Sequence, residues 1–327
     1  MREWVNPPEG GAMEKIKIGI STCLLGEPVR YDGGHKRDRY LTDTLGRYFT
    51  YVPVCPEVEC GLGVPRESMR LVGNPDNPRL MTRVTKQDHT ERMLRWAERR
   101  LRELADEGLC GFIFKSDSPS SGLFRVRLYN EKGMPAGHSV GLWARAFTTA
   151  FPRLPVEEEG RLHDPDLREN FIERVFALKR FRDEVGLNPT ASSLMAFHAR
   201  NKLLLMAHEP QAVAELGRIA SGAGGRKARD AVARYEARFL EALAVLATVR
   251  RHVNTLQHML GYFRDVLNDG DRRELLETIE AYGRELLPLI VPITLFRHHL
   301  RRHPIPWLSN QTYLDPHPIE LKLRNHA

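Results

Sequence analysis

Four short apolar runs and one long amphipathic stretch organise the first half of the chain. KIKIGI (15–20), TYVPV (50–54), GFIFK (111–115) and FRVRLY (124–129) are rich in β-branched and aromatic residues and read as strands. Between them the apolar positions switch to helical spacing. A short helix is predicted near Tyr40–Tyr48. A longer one runs from about Gln87 to Ala105, with Met93, Trp96, Ala97, Leu101 and Leu104 on one face and arginines on the other. VGLWARAFTTAF (140–151) is a third. Alternating β and α elements predict an α/β domain with a small parallel-type sheet and flanking helices.

The segment PRLPVEEEGRLHDPDL (152–167) is rich in proline and acidic residues and lacks periodicity, which predicts a linker over 152–166. Beyond it the pattern is almost wholly helical. Helices are expected near 167–185, 189–206, 210–219, 227–249, 254–268, 271–286 and 288–301. SGAGG (221–225) is a flexible loop, and WLSNQTYLDPHPIELKLRNHA a mostly irregular tail. The expected organisation is a disordered lead over 1–14, an α/β domain over 15–151, the linker, and an all-α domain over 167–327.

Three loops follow the strand-like runs: STCLLGEPVRYDGGHKRDR, CPEVECGLGVPRE and KSDSPSSGLFRVRLY. In a parallel sheet such loops emerge at one edge and converge. Convergence gathers Cys23, Cys55, Cys60, Glu57, Lys115, Ser118 and Ser121. Thiolates select zinc, Cu(I) or iron–sulfur clusters over hard cations, so the gathering predicts a metal site. A C-x4-C spacing alone is weak evidence; a third thiol from another strand strengthens it. Cys110 precedes its strand and is expected in the core. Glu57 is a candidate acid or base, although a lone loop glutamate is ordinarily solvated. Ser118 is turn material by default and a candidate proton relay by position. Arg30, Arg66 and Arg125 fit phosphate binding and surface ion pairing equally well. His298, His299 and His303 are expected as exposed helix residues rather than metal ligands.

Composition adds bounds. With 42% apolar residues, 28% charged residues and four cysteines in 327, the chain suits a soluble globular protein without a disulfide scaffold. No run is long enough to span a bilayer, and MREWVNPPEGGAMEK has no signal-type stretch, so a cytoplasmic protein is expected. The formal charge is +7; residues 166–327 hold 24 basic and 19 acidic residues, +5 of that excess. Such a surface suits a polyanion such as RNA, or simply a solvated basic face.

The loops STCLLGEPVRYDG, CPEVECGLGVPR and KSDSPSSG together resemble the thiouracil desulfidase (TudS-like) family over about residues 15–150. HEPQAV, HMLGYF, YGRELLPLIVPITLFRHH and QTYLDPHPIELKLRN resemble the YbgA-type helical domain over 166–320. The fused arrangement is similar to the tRNA 4-thiouridine desulfidases of RudS type. The resemblance implies a 4Fe–4S cluster on three cysteines, with a free iron for substrate sulfur. Its ligand positions fall on Cys23, Cys60 and Ser121, its acid/base on Glu57 and its catalytic serine on Ser118. Ser121 stands where the family has cysteine. Ser121 as an alkoxide ligand, Cys55 as substitute third ligand, and an inactive variant all stand open. The resemblance implies non-redox removal of sulfur from 4-thiouridine in tRNA; the alternatives are free thiouracil or another small thioamide as substrate, or an inactive tRNA-binding protein. Phosphate contacts are expected from Arg30, Arg66 and Lys115 and, in the helical half, from the arginine clusters Arg250–Arg251 and Arg297–Arg301–Arg302.

Overall fold

The structure, a computed structural model, describes residues 15–224 and 228–326. The expected lead over 1–14 lies outside the described residues. The chain forms two compact units that meet in sequence between Gly160 and Arg161. No helix among the described residues is long and apolar enough to cross a membrane.

In the first unit, β1 (Ile16–Ser21), β2 (Phe49–Val54), β5 (Phe112–Phe114) and β8 (Val156–Glu158) make a wholly parallel sheet in the order β2-β1-β5-β8. A second sheet is built from β3 (Met69–Asn74), β4 (Asn77–Thr82), β6 (Val126–Tyr129) and β7 (Pro135–Ser139), in the order β4-β3-β6-β7. It consists of two antiparallel hairpins joined by the parallel pair β3 and β6. Helices α2 (Thr90–Ala105) and α3 (Leu142–Ala150) cover one core shared by both sheets. Trp96 of α2 meets Trp143 of α3 at 4.9 Å between ring centroids, and Phe147 packs tilted against Phe112 at 4.6 Å. At Gly19, a Cβ would lie 2.2 Å from the Phe112 ring, so only glycine lets β5 bring that ring against β1.

Two expectations need correction. FRVRLY forms β6 in the second sheet, not a fourth strand of the parallel one. The Pro- and acid-rich segment taken as linker contains β8, paired with β5 from Phe112↔Val156 to Phe114↔Glu158. Three residues are too few for a strand to show its period, and three successive glutamates look solvated. All three are buried.

The second unit is helical: α4 (Pro165–Phe181), α5 (Ala191–His208), α6 (Pro210–Ser221), α7 (Ala228–Ala244), α8 (Val249–Gly261), α9 (Asp269–Gly283), α10 (Ile290–Arg302) and the short α11 (Pro306–Ser309). Phe181, Phe197, Tyr235 and Phe239 form an aromatic core, with Phe181 and Phe197 edge-on at 5.1 Å. The tail expected to be mostly irregular has little regular structure but is firmly packed. Tyr313 is fully buried and Arg324 nearly so. His299 is also buried, against the exposed position expected for it.

Arg324 ties the tail to α4 through Glu169 (3.0 Å) and Glu173 (3.3 Å), and donates to the Tyr313 carbonyl (2.6 Å). His208 meets Glu173 at 2.5 Å and the Val245 carbonyl at 2.7 Å. Both its nitrogens face acceptors, so both carry protons and the ring is an imidazolium. Burial opposes that charge, but Glu173 and Val245 outweigh it and hold the His208 pKa above its ordinary value. Burial likewise opposes the Glu173 carboxylate, but His208 and Arg324 hold it down at about 2.

A raised histidine contributes stability that is full below its unfolded pKa of about 6.5 and is lost as pH rises through the folded value. The Glu173 contribution is present above about 4.3 and is lost as pH falls toward its depressed value. His208→Gln should therefore cost most stability below about pH 6.5 and progressively less at alkaline pH. Urea melts across that range read the difference. A cost that does not vary with pH would show that the ring is uncharged.

Candidate metal centre

The chain leaves β1 toward β2 and leaves β5 toward β8, opposite directions along the parallel sheet. A crevice therefore opens at the carboxyl ends of β1 and β5, the place where open α/β sheets bind ligands. Thr22–Leu25 form a 3₁₀ turn after β1, closed by Gly26 at φ 100. Cys55 is the N-cap residue of α1 (Pro56–Glu59), which follows β2 directly.

The loop after β5 is held from beneath by β8 and the residue after it. Glu159 accepts from the Ser116 N–H (2.7 Å) and hydroxyl (2.8 Å) and pairs with the Lys115 ammonium. Glu158 accepts from the N–H groups of Leu123 (2.7 Å) and Phe124 (3.0 Å). Within the loop, the Ser118 hydroxyl accepts from Ser121 N–H (3.1 Å) and the Ser118 carbonyl from Gly122 N–H (2.8 Å). A Cβ on Gly122 would lie 2.3 Å from Val126 and 2.8 Å from the Ser118 carbonyl, so the tight turn requires glycine.

The three loops enclose a cavity of about 520 Å³. Cys23, Cys55, Glu57, Ser118, Ser121, Lys115, Arg30 and Arg66 all line it. Cys60 does not. It is packed in the core, with its thiol donating to the Glu57 carbonyl at 3.3 Å. Cys110 is buried as expected, and Arg125 is not among the lining residues.

Glu57 is the hub. One carboxylate oxygen accepts from the Cys55 thiol (3.7 Å) and lies 3.8 Å from Arg66. The other accepts from the Ser120 hydroxyl. Ser120, fully buried, lies 3.0 Å from the Ser118 hydroxyl and 3.5 Å from that of Ser121. Three serines and one carboxylate thus form a continuous hydrogen-bonded chain. Burial, and next the Glu57 charge, push Cys23 up to about 11, against the pull of Lys115 and Arg30. Burial and Glu57 push Cys55 up to about 12 and Cys60 upward as well.

Sequence reasoning missed Ser120, Glu158 and Glu159. Ser120 lay inside the quoted SDSPSSG turn, between the two serines singled out. The signal for the glutamates was their position just after an apolar residue and before a glycine. In the helical unit, Arg301 and Arg302 are exposed in the last turn of α10, and Arg250 is exposed. Arg297 is instead tied to Asp315 and the Leu314 carbonyl, and Arg251 donates to the Leu246 carbonyl (3.1 Å). No cluster of three or more His, Cys, Asp or Glu suited to a bare metal ion occurs among the described residues.

Buried thiols at the carboxyl edge of a parallel sheet, joined in sequence to a helical unit, define a two-domain architecture that known proteins share. Residues 18–159 match the family described as 2-thiouracil desulfurase, and residues 202–318 match a protein family of unknown function, DUF1722. The uncharacterized protein YbgA of Escherichia coli (strain K12) is 32% identical over 155 residues, 46% of this chain and 90% of YbgA. The chain belongs to the YbgA family and carries a 2-thiouracil desulfurase domain before the YbgA-type domain. A solved structure, the 4Fe–4S-dependent thiouracil desulfidase TudS, is 30% identical, covering 46% of this chain and 95% of TudS, with a TM-score of 0.35.

Glu159→Ala would strand the Lys115 ammonium and the Ser116 N–H. It should cost about 1–3 kcal/mol in a denaturant melt. Glu98→Ala, which removes only an exposed helix pair with Arg102, should cost about 0.3–0.5 kcal/mol. Equal costs would mean that Glu159 does not hold the loop.

Proposed function

We propose that this chain removes sulfur from 4-thiouridine in tRNA, using a 4Fe–4S cluster at the carboxyl edge of its parallel sheet. The observation that carries this reading is the meeting of Cys23, Cys55 and Glu57 in one cavity, with the Cys60 thiol on the Glu57 backbone behind it. The residues present fit the group. Burial and the Glu57 charge keep the thiols protonated on their own, against the weaker pull of nearby cations such as Lys115 and Arg66; a cationic iron centre would compensate their deprotonation.

Cys23 and Cys60 are the ligands implied by the family pattern. For the third, a serine hydroxyl is a hard ligand for iron, and Cys55 offers a thiol in the same cavity. We assign the third position to Cys55.

When bound, the cluster supplies a thiophilic Lewis-acid iron for the C=S sulfur. The protein's own groups do the rest. Glu57 takes a proton from the attacking water, and the Ser120–Ser118 hydroxyl chain carries protons to and from it. A C–O bond forms from water and the C–S bond breaks. Sulfur leaves as hydrosulfide with one of the water's protons, the other passing to solvent, and no atom changes oxidation state.

Arg30, Lys36, Arg66, Arg83 and Lys115 line the cavity against only Glu57 and Asp117, which favours an anionic nucleotide over a free base. The basic excess of residues 166–327 supports the same choice. Free thiouracil is the second reading, favoured by the name of the domain family.

Anaerobic reconstitution should load about one cluster per chain. Cys23→Ala should abolish the visible absorption band. Cys55→Ser should damage it, and Ser121→Cys should add little. The reverse pattern would return the third ligand to position 121, and a parent that binds no iron would end the cluster reading. Glu57→Gln should keep the band and lose turnover on the order of a hundred- to ten-thousandfold.

Binding to thiolated tRNA should weaken steeply with salt, with a log–log slope of about −0.7 to −0.9 per phosphate contact. Arg301→Glu combined with Arg302→Glu should weaken binding and leave the band unchanged. Turnover of free thiouracil as fast as that of thiolated tRNA would move the substrate to the free base.

A further inference from the structure

The helical unit holds a cavity of its own, about 560 Å³, formed by the starts of α4 and α8, the end of α9 and the tail. Nothing in the proposed desulfidation uses it. Its floor is the network of Glu169, Glu173, His208 and Arg324, whose two carboxylates and two cations cancel. A balanced floor of this kind offers polar contacts without attracting a net charge.

Two largely buried aromatic side chains in the wall carry polar atoms that pair with no protein group among the described residues. Tyr282 is 6% exposed, and its hydroxyl has no hydrogen-bond partner among the described residues. His252 is 9% exposed and stands edge-on to the Tyr282 ring at 6.2 Å. Its Nδ1 meets the Tyr313 hydroxyl at 2.8 Å. Tyr313 is fully buried and has no other acceptor among the described residues, so its O–H donates to Nδ1 and the remaining proton of the neutral ring sits on Nε2. That N–H has no partner among the described residues. Asn170 donates to the Leu243 carbonyl (2.9 Å), and its own oxygen is left without a partner there. None of these three atoms is sealed from solvent, so each is open to a ligand that exchanges hydrogen bonds to water for its own.

The apolar part of the wall comes from Leu246, Leu287 and Leu289. The rim carries Asp164, Asp166 and Glu285, with His326 held on Asp166 at 2.9 Å. The N-termini of α4 and α8 are already capped by Asp164 and Thr248. A phosphate would meet these acids and find no unpaired cation among the described lining residues to offset them.

We propose that this cavity is a second ligand site, one that binds an uncharged nucleoside: a flat ring with donors and acceptors on its edge, between an aromatic pair and apolar walls, and without phosphate. The proposal does not depend on the desulfidase reading. It sets this cavity apart from any tRNA-phosphate surface on the same unit.

The test is calorimetric titration of the full-length chain with uridine as probe. Uridine should bind saturably. Tyr282→Phe removes only the unpartnered hydroxyl and should weaken binding about three- to tenfold. Leu246→Trp, at the exposed rim, fills the cavity and should weaken it about tenfold or more. Uridine monophosphate should bind about tenfold more weakly than uridine. Thermal melts of both variants should match the parent, which separates lost binding from lost folding. Three results would overturn the proposal: no saturable binding of uridine at millimolar concentration, binding unchanged in both variants, or monophosphate binding as tight as uridine.

Discussion

The site depends on carboxylates at the end of an edge strand gripping a loop that has no regular structure of its own. Glu158 takes two backbone N–H groups and Glu159 takes a third, together with the Lys115 ammonium. Buried backbone donors in a turn must find acceptors, and here the acceptors come from some forty residues further along the chain. The loop that presents Ser118, Ser120 and Ser121 is therefore only as well placed as β8, and β8 is held by parallel pairing with β5.

Around that loop the charges are arranged in opposition. Cations line the cavity mouth, while Glu57 sits against the thiols and helps burial keep them protonated. One carboxylate thereby does two things: it suppresses thiolate character and terminates a chain of hydrogen-bonded hydroxyls. A thiol kept neutral is a poor nucleophile, so the same arrangement protects the cysteines from oxidation and alkylation.

Much of this was legible in the sequence, for identifiable reasons. The strands KIKIGI, TYVPV and GFIF announce themselves by β-branched and aromatic content, and the loops after them carry rare residue types, so convergence at one edge followed from topology alone. The apolar stripe of α2 was read correctly for Met93, Trp96, Ala97 and Leu104, because 3.6-residue periodicity is strong over sixteen residues. What escaped was non-local. The EEE run resembled a solvated linker because its partners lie in another loop. Three of the second sheet's four strands, β3, β4 and β7, were missed because its assembly depends on contacts between distant segments. Arg297 and Arg301 look alike in sequence; only the fold shows that one is tied to Asp315 and the other is exposed.

The second sheet is inserted into the first unit in two instalments, β3–β4 after β2 and β6–β7 after β5, and is joined where Leu71 pairs with Leu128. Neither hairpin alone buries its apolar face, and their joining must await a segment more than fifty residues downstream. Long-range parallel pairing of this kind forms late and slowly. Met69 and Arg83, which border the hairpin β3–β4, also line the cavity. The mouth of the site thus depends on two long-range parallel pairings, β3 with β6 and, over a still longer stretch of chain, β1 with β5. The cysteine loops and the mouth of their cavity therefore share one constraint in folding: neither is complete until chain more than fifty residues downstream has arrived to pair.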